Sequence, residues 1–233
     1  MKDHDSTEEL NRLLKVRLKE WGQRENTPHR PNPVVTITRE PGSGGESIAK
    51  ELSAGLGFHL YDWELVEQIA KDEKISPRLV STVDEHYRSE FQDWQAELEG
   101  EYDLSSRAYI AALKQVLLAI ALPGNAVIVG RGSNFFFPPD RKIGLCFVAP
   151  LDLRIKNTMK ELGLSEKAAR KHISKVEAEH RKLAKKYFQA DLRYSAHYHL
   201  VINTALVKPG TIVELVKSLI EERKENRHDP SGS

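Results

Sequence analysis

Apolar positions along the chain fall into two alternating patterns, short β-branched runs and longer stretches with helical spacing. The run Val34-Val35-Thr36-Ile37-Thr38 predicts a first strand, and helical spacing follows it to about Leu56. Residues 57–61 predict a short connection or strand. Helical patterns cover 63–71, 76–87 and 105–122, separated by an acidic and aromatic stretch at 89–103 that carries Phe91, Trp94 and Tyr102. Pro123-Gly124-Asn125 ends the third of these. Two buried strands are predicted at 126–130 and 143–148, basic helices at 152–162 and 165–188, a last strand at 200–203 and a last helix at 211–224. Strands alternating with helices predict an α/β fold, with a parallel sheet covered on both faces.

Ahead of this unit, residues 7–21 form an amphipathic helix with Leu10, Leu13, Leu14, Leu18 and Trp21 on one face and a capping box at Ser6 and Glu9. Residues 23–33 read as a linker ending in Pro31-Asn32-Pro33. The helix is expected either to pack on the domain or to meet a second copy of the chain. The organisation expected is therefore helix and linker at 1–33, one domain at 34–225 and a polar, disordered tail at 226–233.

Between the first strand and its helix lies Arg39-Glu40-Pro41-Gly42-Ser43-Gly44-Gly45-Glu46-Ser47. Strand, glycine loop, helix is an architecture that holds phosphate. The glycines permit a tight turn with amides facing one concavity, and the first helical N–H groups lack internal acceptors. A phosphate supplies what those donors lack, and the Ser47 hydroxyl offers a ligand for Mg2+. The loop departs from G-x-x-x-x-G-K-[ST] at three positions, one of them Glu46 where the hydroxyl residue should be, with Ser47 following it. With Gly44 as the second motif glycine, Arg39 stands where the first should be and Gly45 where the lysine should be. Loss of one preorganised cation costs ~3 kcal/mol of transition-state stabilisation. Either another cation substitutes, Arg39 being one candidate, or the loop binds without much catalysis.

Charge and cysteine content narrow the function classes. In 233 residues, 35 Lys and Arg balance 34 Asp and Glu, for a formal net charge of +1. There is no global basic field of the kind that drives nucleic-acid binding. Cys146 is the single cysteine, set in an apolar run, and is expected in the core of a protein in a reducing cytoplasm. The N-terminus lacks an apolar signal core and no run is long enough to span a bilayer, so no membrane partner is expected.

Further chemistry-bearing residues sit at strand ends and on the basic helices. Arg131, flanked by Gly130 and Gly132, follows a buried strand and would project toward the crevice at the carboxyl ends of the strands. Its fork suits bidentate phosphate contact. Asp62 either caps the helix beginning at Trp63 or meets a substrate. Among the cations at 152–188, Arg154, Arg170 and Arg181 are the candidates for neutralising a transferring phosphoryl group, the rest forming a solvated face. His172, His180, His197 and His199 have no partners at metal-ligand spacing and are expected to be structural or solvent-exposed.

The loop Arg39 to Ala49, the segment Phe58-His59-Leu60-Tyr61-Asp62, the strand Val127-Ile128-Val129-Gly130-Arg131-Gly132 and Leu200-Val201-Ile202-Asn203-Thr204 together resemble the cytidylate kinase-like family, within the P-loop nucleoside monophosphate kinases. The resemblance covers roughly 34–222 and extends to G-S-G-G in place of G-S-G-K. It implies a three-layer P-loop NTPase fold with a five-stranded parallel sheet. It also implies a helical nucleoside-monophosphate-binding insert at about 63–122 and a helical lid at about 163–190. ATP and Mg2+ would be held by Arg39, Gly42, Ser43, Gly44, Gly45, Glu46 and Ser47. Asp62, Arg107 and Arg131 would meet the acceptor, with Trp94 and Tyr102 further candidates in the insert. Arg154 resembles an arginine of the helix after the fourth strand, and Arg181 a lid arginine. Phosphoryl transfer from ATP to a nucleoside monophosphate, most simply CMP or dCMP, is the function implied. A kinase for another small acceptor, and a nucleotide sensor or regulatory subunit with little turnover, are the alternatives.

Overall fold

The computed structural model describes residues 12, 16, 32–62, 66–67, 104–121, 123–130 and 132–225. Arg12, Val16, Val66 and Glu67 are helical. The rest of the expected N-terminal helix, the linker up to Pro31, most of 63–103 and the tail at 226–233 lie outside the described residues.

Five strands form one sheet. They are β1 (Val34–Arg39), β2 (His59–Asp62), β3 (Ala126–Val129), β4 (Lys142–Val148) and β5 (Leu200–Asn203), in the order β2-β3-β1-β4-β5. The helices with described bounds are α1 (Gly45–Leu56), α2 (Leu104–Ala121), α3 (Leu151–Leu162), α4 (Glu166–Phe188) and α5 (Pro209–Glu225). β1 runs parallel to both neighbours, with Val35 opposite Val127 on β3 and Ile143 on β4, and β4 runs parallel to β5. The sequence reading of a parallel α/β sheet is thus met. β1 is buried from Val34 to Thr38, which is why it reads as a continuous β-branched run rather than an alternating one. Both outer strands are four residues long.

Two compact units share the chain, one of residues 33–60 and 127–233, the other of 1–32 and 61–126. In the first, Val35, Ile37, Val127, Val129, Ile143, Leu145 and Phe147 of the sheet pack with Ile48, Ala49 and Leu52 of α1 and Ile212, Val213, Val216 and Ile220 of α5. α1 and α5 cross closely: a Cβ at Gly55 would lie 2.7 Å from Val213. α1 ends on Gly57 at φ 67°, a left-handed stop that costs glycine nothing. α3 ends on Gly163 at φ 65°, and the Ser165 hydroxyl accepts from Ala168 N–H to open α4. Ile155, Ala169 and Ile173 seal the α3–α4 hairpin. The far end of α4 is fastened by Phe188, stacked on Phe135 with ring centroids 5.2 Å apart and edge-on to Phe136 at 5.0 Å. Gly132 admits that ring, since a Cβ there would lie 2.6 Å from it. In the second unit α2 buries Ile110, Leu113, Val116, Leu117, Ala119 and Ile120.

Short 3-10 turns at Ser133–Phe136, Pro139–Arg141 and Ser195–His197 have no periodic signature in the sequence. Side-chain contacts hold the first and third. Asn134 is fully buried, accepts from the Thr36 hydroxyl at 3.2 Å and donates to His197 O at 2.9 Å. The Lys142 ammonium bonds the Asn134 main-chain carbonyl. His197 sits in the third turn, and His199 just ahead of β5.

His199 Nδ1 accepts from Gly144 N–H at 2.9 Å, while Arg223 lies 2.6 Å from Nε2. Burial, then Arg223 and Lys142, lower its pKa from 6.5 to about 4. Protonation would remove the acceptor from Gly144 and set a third cation beside two others. The unfolded chain binds this proton near 6.5 and the folded chain only near 4, so His199 contributes stability fully above about 6.5, and that contribution is lost as pH falls toward 4. Thermal unfolding followed from pH 7 to pH 4 is expected to show this decline. His199→Asn, which can accept from Gly144 without titrating, is expected to flatten it. Equal slopes for the two proteins would refute the assignment.

Candidate phosphate-binding site

The strand order turns at β1, which has β3 on one side and β4 on the other. In open α/β sheets the ligand crevice lies beyond the carboxyl ends of the strands at such a point. The glycine loop leaves β1 there.

The loop is anchored residue by residue. Glu40 N–H donates to Phe147 O at 3.0 Å, and Ser43 N–H turns back to Glu40 O at 3.1 Å. Gly42, at φ 77°, lies against α3: a Cβ there would collide with Arg154 O and come within 2.7 Å of Thr158 Oγ1. Asn157 Nδ2 donates to Gly42 O at 2.8 Å, and Thr204 Oγ1 donates to Ser43 O at 2.7 Å. In a trans peptide the carbonyl and the following N–H point opposite ways. Thr204 therefore fixes the Gly44 N–H on the side away from itself. Gly44 is left-handed at φ 78°, and no side chain caps α1. The amides of Gly45, Glu46 and Ser47 open a helix whose first turn has no internal acceptors. The Ser43 hydroxyl is buried and has no hydrogen-bond partner. Uncapped amides, an orphaned hydroxyl and the positive end of a helix dipole are donors of the kind an anion can satisfy.

Ion pairs tie the loop to its neighbours. Glu40 Oε2 accepts from Ala149 N–H at 3.0 Å and lies 3.5 Å from Arg154 Nε. Arg154, 8 % exposed, also bonds Glu177 of α4 at 2.6 Å through Nη1. Arg181 lies 3.7 Å from the other oxygen of Glu177. Arg154 and Arg181 thus meet on one carboxylate beside the loop. Arg170 lies apart from them, bonded to Glu166 at 2.8 Å and 3.9 Å from Asp152. Arg39 Nη2 bonds Glu46 at 3.0 Å. Ser47 is exposed in the first turn of α1. Cys146, on β4, is buried, and burial followed by the Glu40 charge raises its pKa to about 11, so the thiol stays protonated.

The model of the cytidylate kinase-like family matches residues 34–206. The chain belongs to the cytidylate kinase-like family. It is similar to the cytidylate kinase of Ignicoccus hospitalis, 26 % identical over 188 residues that span 80 % of this chain and 98 % of the relative. It is also similar to that of Sulfolobus acidocaldarius, 24 % identical over 190 residues, 81 % of this chain and 94 % of the relative. A solved structure of an uncharacterised protein from Eubacterium ventriosum shares the fold, with a TM-score of 0.60, 21 % identity and coverage of 82 % of this chain and 99 % of that one.

In this member of the cytidylate kinase-like family, Gly42 to Ser47, Arg39, Arg154 and Arg181 lie in one unit; Arg39 and Arg154 contact the loop, and Arg181 is linked to Arg154 through Glu177. Asp62 ends β2 and belongs to the unit of 1–32 and 61–126, as does Arg107 on α2. Arg131, Trp94 and Tyr102 lie outside the described residues. Sequence reasoning missed Asn157, Thr204, Glu40 and Glu177. Thr204 carried a signal, since it directly follows the last strand at its carboxyl end. Asn157 carried none, because only the packing of α3 on Gly42 brings it to the loop. Among the described residues no group of three or more His, Cys, Asp or Glu is gathered for a metal.

Gly42 and Gly44 provide a controlled comparison. Both hold φ near +78°, but a Cβ at Gly44 meets nothing within 4 Å. Gly44→Ala is expected to cost only the left-handed backbone term, ~1–2 kcal/mol. Gly42→Ala is expected to cost more, because α3 must also move. Chemical unfolding of both variants measures the difference, and equal losses would show that the approach of α3 is soft.

Proposed function

We propose that this protein transfers the γ-phosphoryl group of ATP to a nucleoside monophosphate, with CMP or dCMP the first acceptors to examine. The observation that carries the reading is the uncapped start of α1 with the buried, unpartnered Ser43 hydroxyl beside it. That donor set fits a polyphosphate. Family membership and relatives named cytidylate kinase support the acceptor class.

In this reading the amides from Gly44 to Ser47 and the Ser43 hydroxyl bind the phosphates of ATP. The Ser47 hydroxyl would hold Mg2+, which when bound would neutralise charge developing on the phosphates. Arg131 takes the acceptor phosphate, while Asp62 and Arg107 meet the rest of the acceptor. An acceptor phosphate oxygen attacks the γ-phosphorus, and the bond to the β–γ bridging oxygen breaks, leaving ADP. Arg154, Arg170 and Arg181 neutralise the transferring group, and catalysis is positioning plus electrostatics. The segment 163–190 acts as a lid that excludes water, so that ATP is not spent on hydrolysis.

A second reading, nucleotide binding with little turnover, is favoured by one observation. Arg39, Arg154, Arg170 and Arg181 each face a carboxylate. A sensor could keep them so.

Calorimetry with ATP and Mg2+, joined to a coupled ADP-release assay across monophosphates, separates the two. Binding with acceptor-dependent ADP release is expected. Binding without release on any monophosphate would select the sensor, and no binding by folded protein would end both. Arg131→Ala is expected to impair acceptor use, read as kcat/KM for the monophosphate, more than ATP affinity.

A further inference from the structure

A phosphate loop without its lysine needs its positive charge from elsewhere, and the structure supplies a steric reason for where. Gly45 opens α1, is buried, and stands at the lysine position of the common motif. A Cβ built on Gly45 would lie 2.8 Å from Arg39 Cδ and 2.9 Å from Arg39 Cβ. The stem of Arg39 therefore runs through the space by which any side chain at 45 would leave the helix. Real Cβ atoms do not approach other carbons this closely, so Arg39 in its present rotamer and a lysine at 45 exclude each other. Arg39 itself stands where the common motif has its first glycine. Small residue and cation have changed places.

Building on the phosphate-binding reading above, we propose that Arg39 supplies, from the end of the central strand, the cation that a lysine at 45 would supply from the helix. Glu46 holds its guanidinium until a polyphosphate arrives. Three features support this. The stem of Arg39 crosses Gly45 and its Nη2 ends on Glu46, so the charge is carried along the first turn of α1, where the free amides are. Glu46 is a residue from which the guanidinium can depart: its side chain is 68 % exposed, and an exposed ion pair holds with little free energy. A polyphosphate offers more negative charge and a bidentate fit to the planar fork. The stem is pinned by packing while the head is tied only to a solvated carboxylate, which lets the head change partners without rebuilding the loop.

Mutual exclusion gives the proposal a signature that a merely structural arginine lacks. Full-length wild type, Arg39→Gln, Arg39→Lys, Gly45→Lys and the double variant Arg39→Gly/Gly45→Lys are compared for ATP·Mg affinity by calorimetry, for kcat and KM in acceptor-dependent ADP release, and for unfolding midpoint. Arg39→Gln keeps the stem over Gly45 and removes the charge, and is expected to lower kcat about a hundredfold. Arg39→Lys is expected to keep part of the activity. Gly45→Lys alone is expected to lose activity as badly, because its side chain collides with Arg39. The double variant restores the first glycine and the lysine of the common motif, with Glu46 still at its hydroxyl position and Ser47 one place on, and is expected to recover kcat to within about tenfold of wild type, so that two damaging changes are not additive. Wild-type kcat and affinity in Arg39→Gln would overturn the exchange while leaving the phosphoryl-transfer reading intact. So would a folded double variant no more active than the single ones. A wild type that neither binds ATP nor releases ADP would overturn both.

Discussion

The site depends on two carbonyl oxygens that side chains hold from behind. Gly42 O and Ser43 O accept from Asn157 and Thr204, residues on α3 and just beyond β5. An unheld glycine-rich loop samples many arrangements, and ordering it on a ligand costs roughly 1–2 kcal/mol per residue. Here that ordering is done by the fold. The peptide planes are set before anything binds, and Gly44 N–H is directed by the anchoring of the preceding carbonyl rather than by a ligand. The donors are neutral, so the same contacts hold the loop at any pH at which the protein is folded.

Electrostatic ties complete what those bonds begin. Glu40 fastens the loop to the end of β4 through Ala149 N–H and faces Arg154, which in turn bonds Glu177 on α4. Loop, α3 and α4 are thereby joined through alternating charges, with Arg181 on the far side of Glu177. Arg154 is nearly buried, and a buried cation without a carboxylate would be costly, so its two acidic neighbours are a structural requirement.

Much of this was legible in the chain. The β-branched run at Val34 to Thr38, the glycines after it and the helical spacing beyond fixed the central strand, the loop and α1, because local propensity and tertiary role agree there. The same holds for β3, β4 and the α3–α4 hairpin with its Gly163 stop. Sequence could show that Gly45 lacks a lysine side chain, but not that Arg39 lies across it. That contact joins residues whose facing sides depend on how the loop folds back. The pairing of Arg154 with Glu177 was hidden for another reason: it links two helices whose register is set by Ile155, Ala169 and Ile173. The 3-10 turns escaped because a few residues have no period, and they exist through contacts such as that of Asn134 with Thr36.

The short outer strands have a consequence for the behaviour of the molecule in a crowded solution. A sheet rim is a row of unsatisfied amides and carbonyls that another chain can extend. Here β2 and β5 each offer only four residues, and β2 carries exposed His59 and Asp62 at its two ends. The apolar, β-branched sequence that would polymerise most readily lies in β1, enclosed on both sides by β3 and β4. The arrangement keeps the most adhesive segment in the middle and leaves stubs at the margins, a form of protection against self-association that needs no dedicated residue.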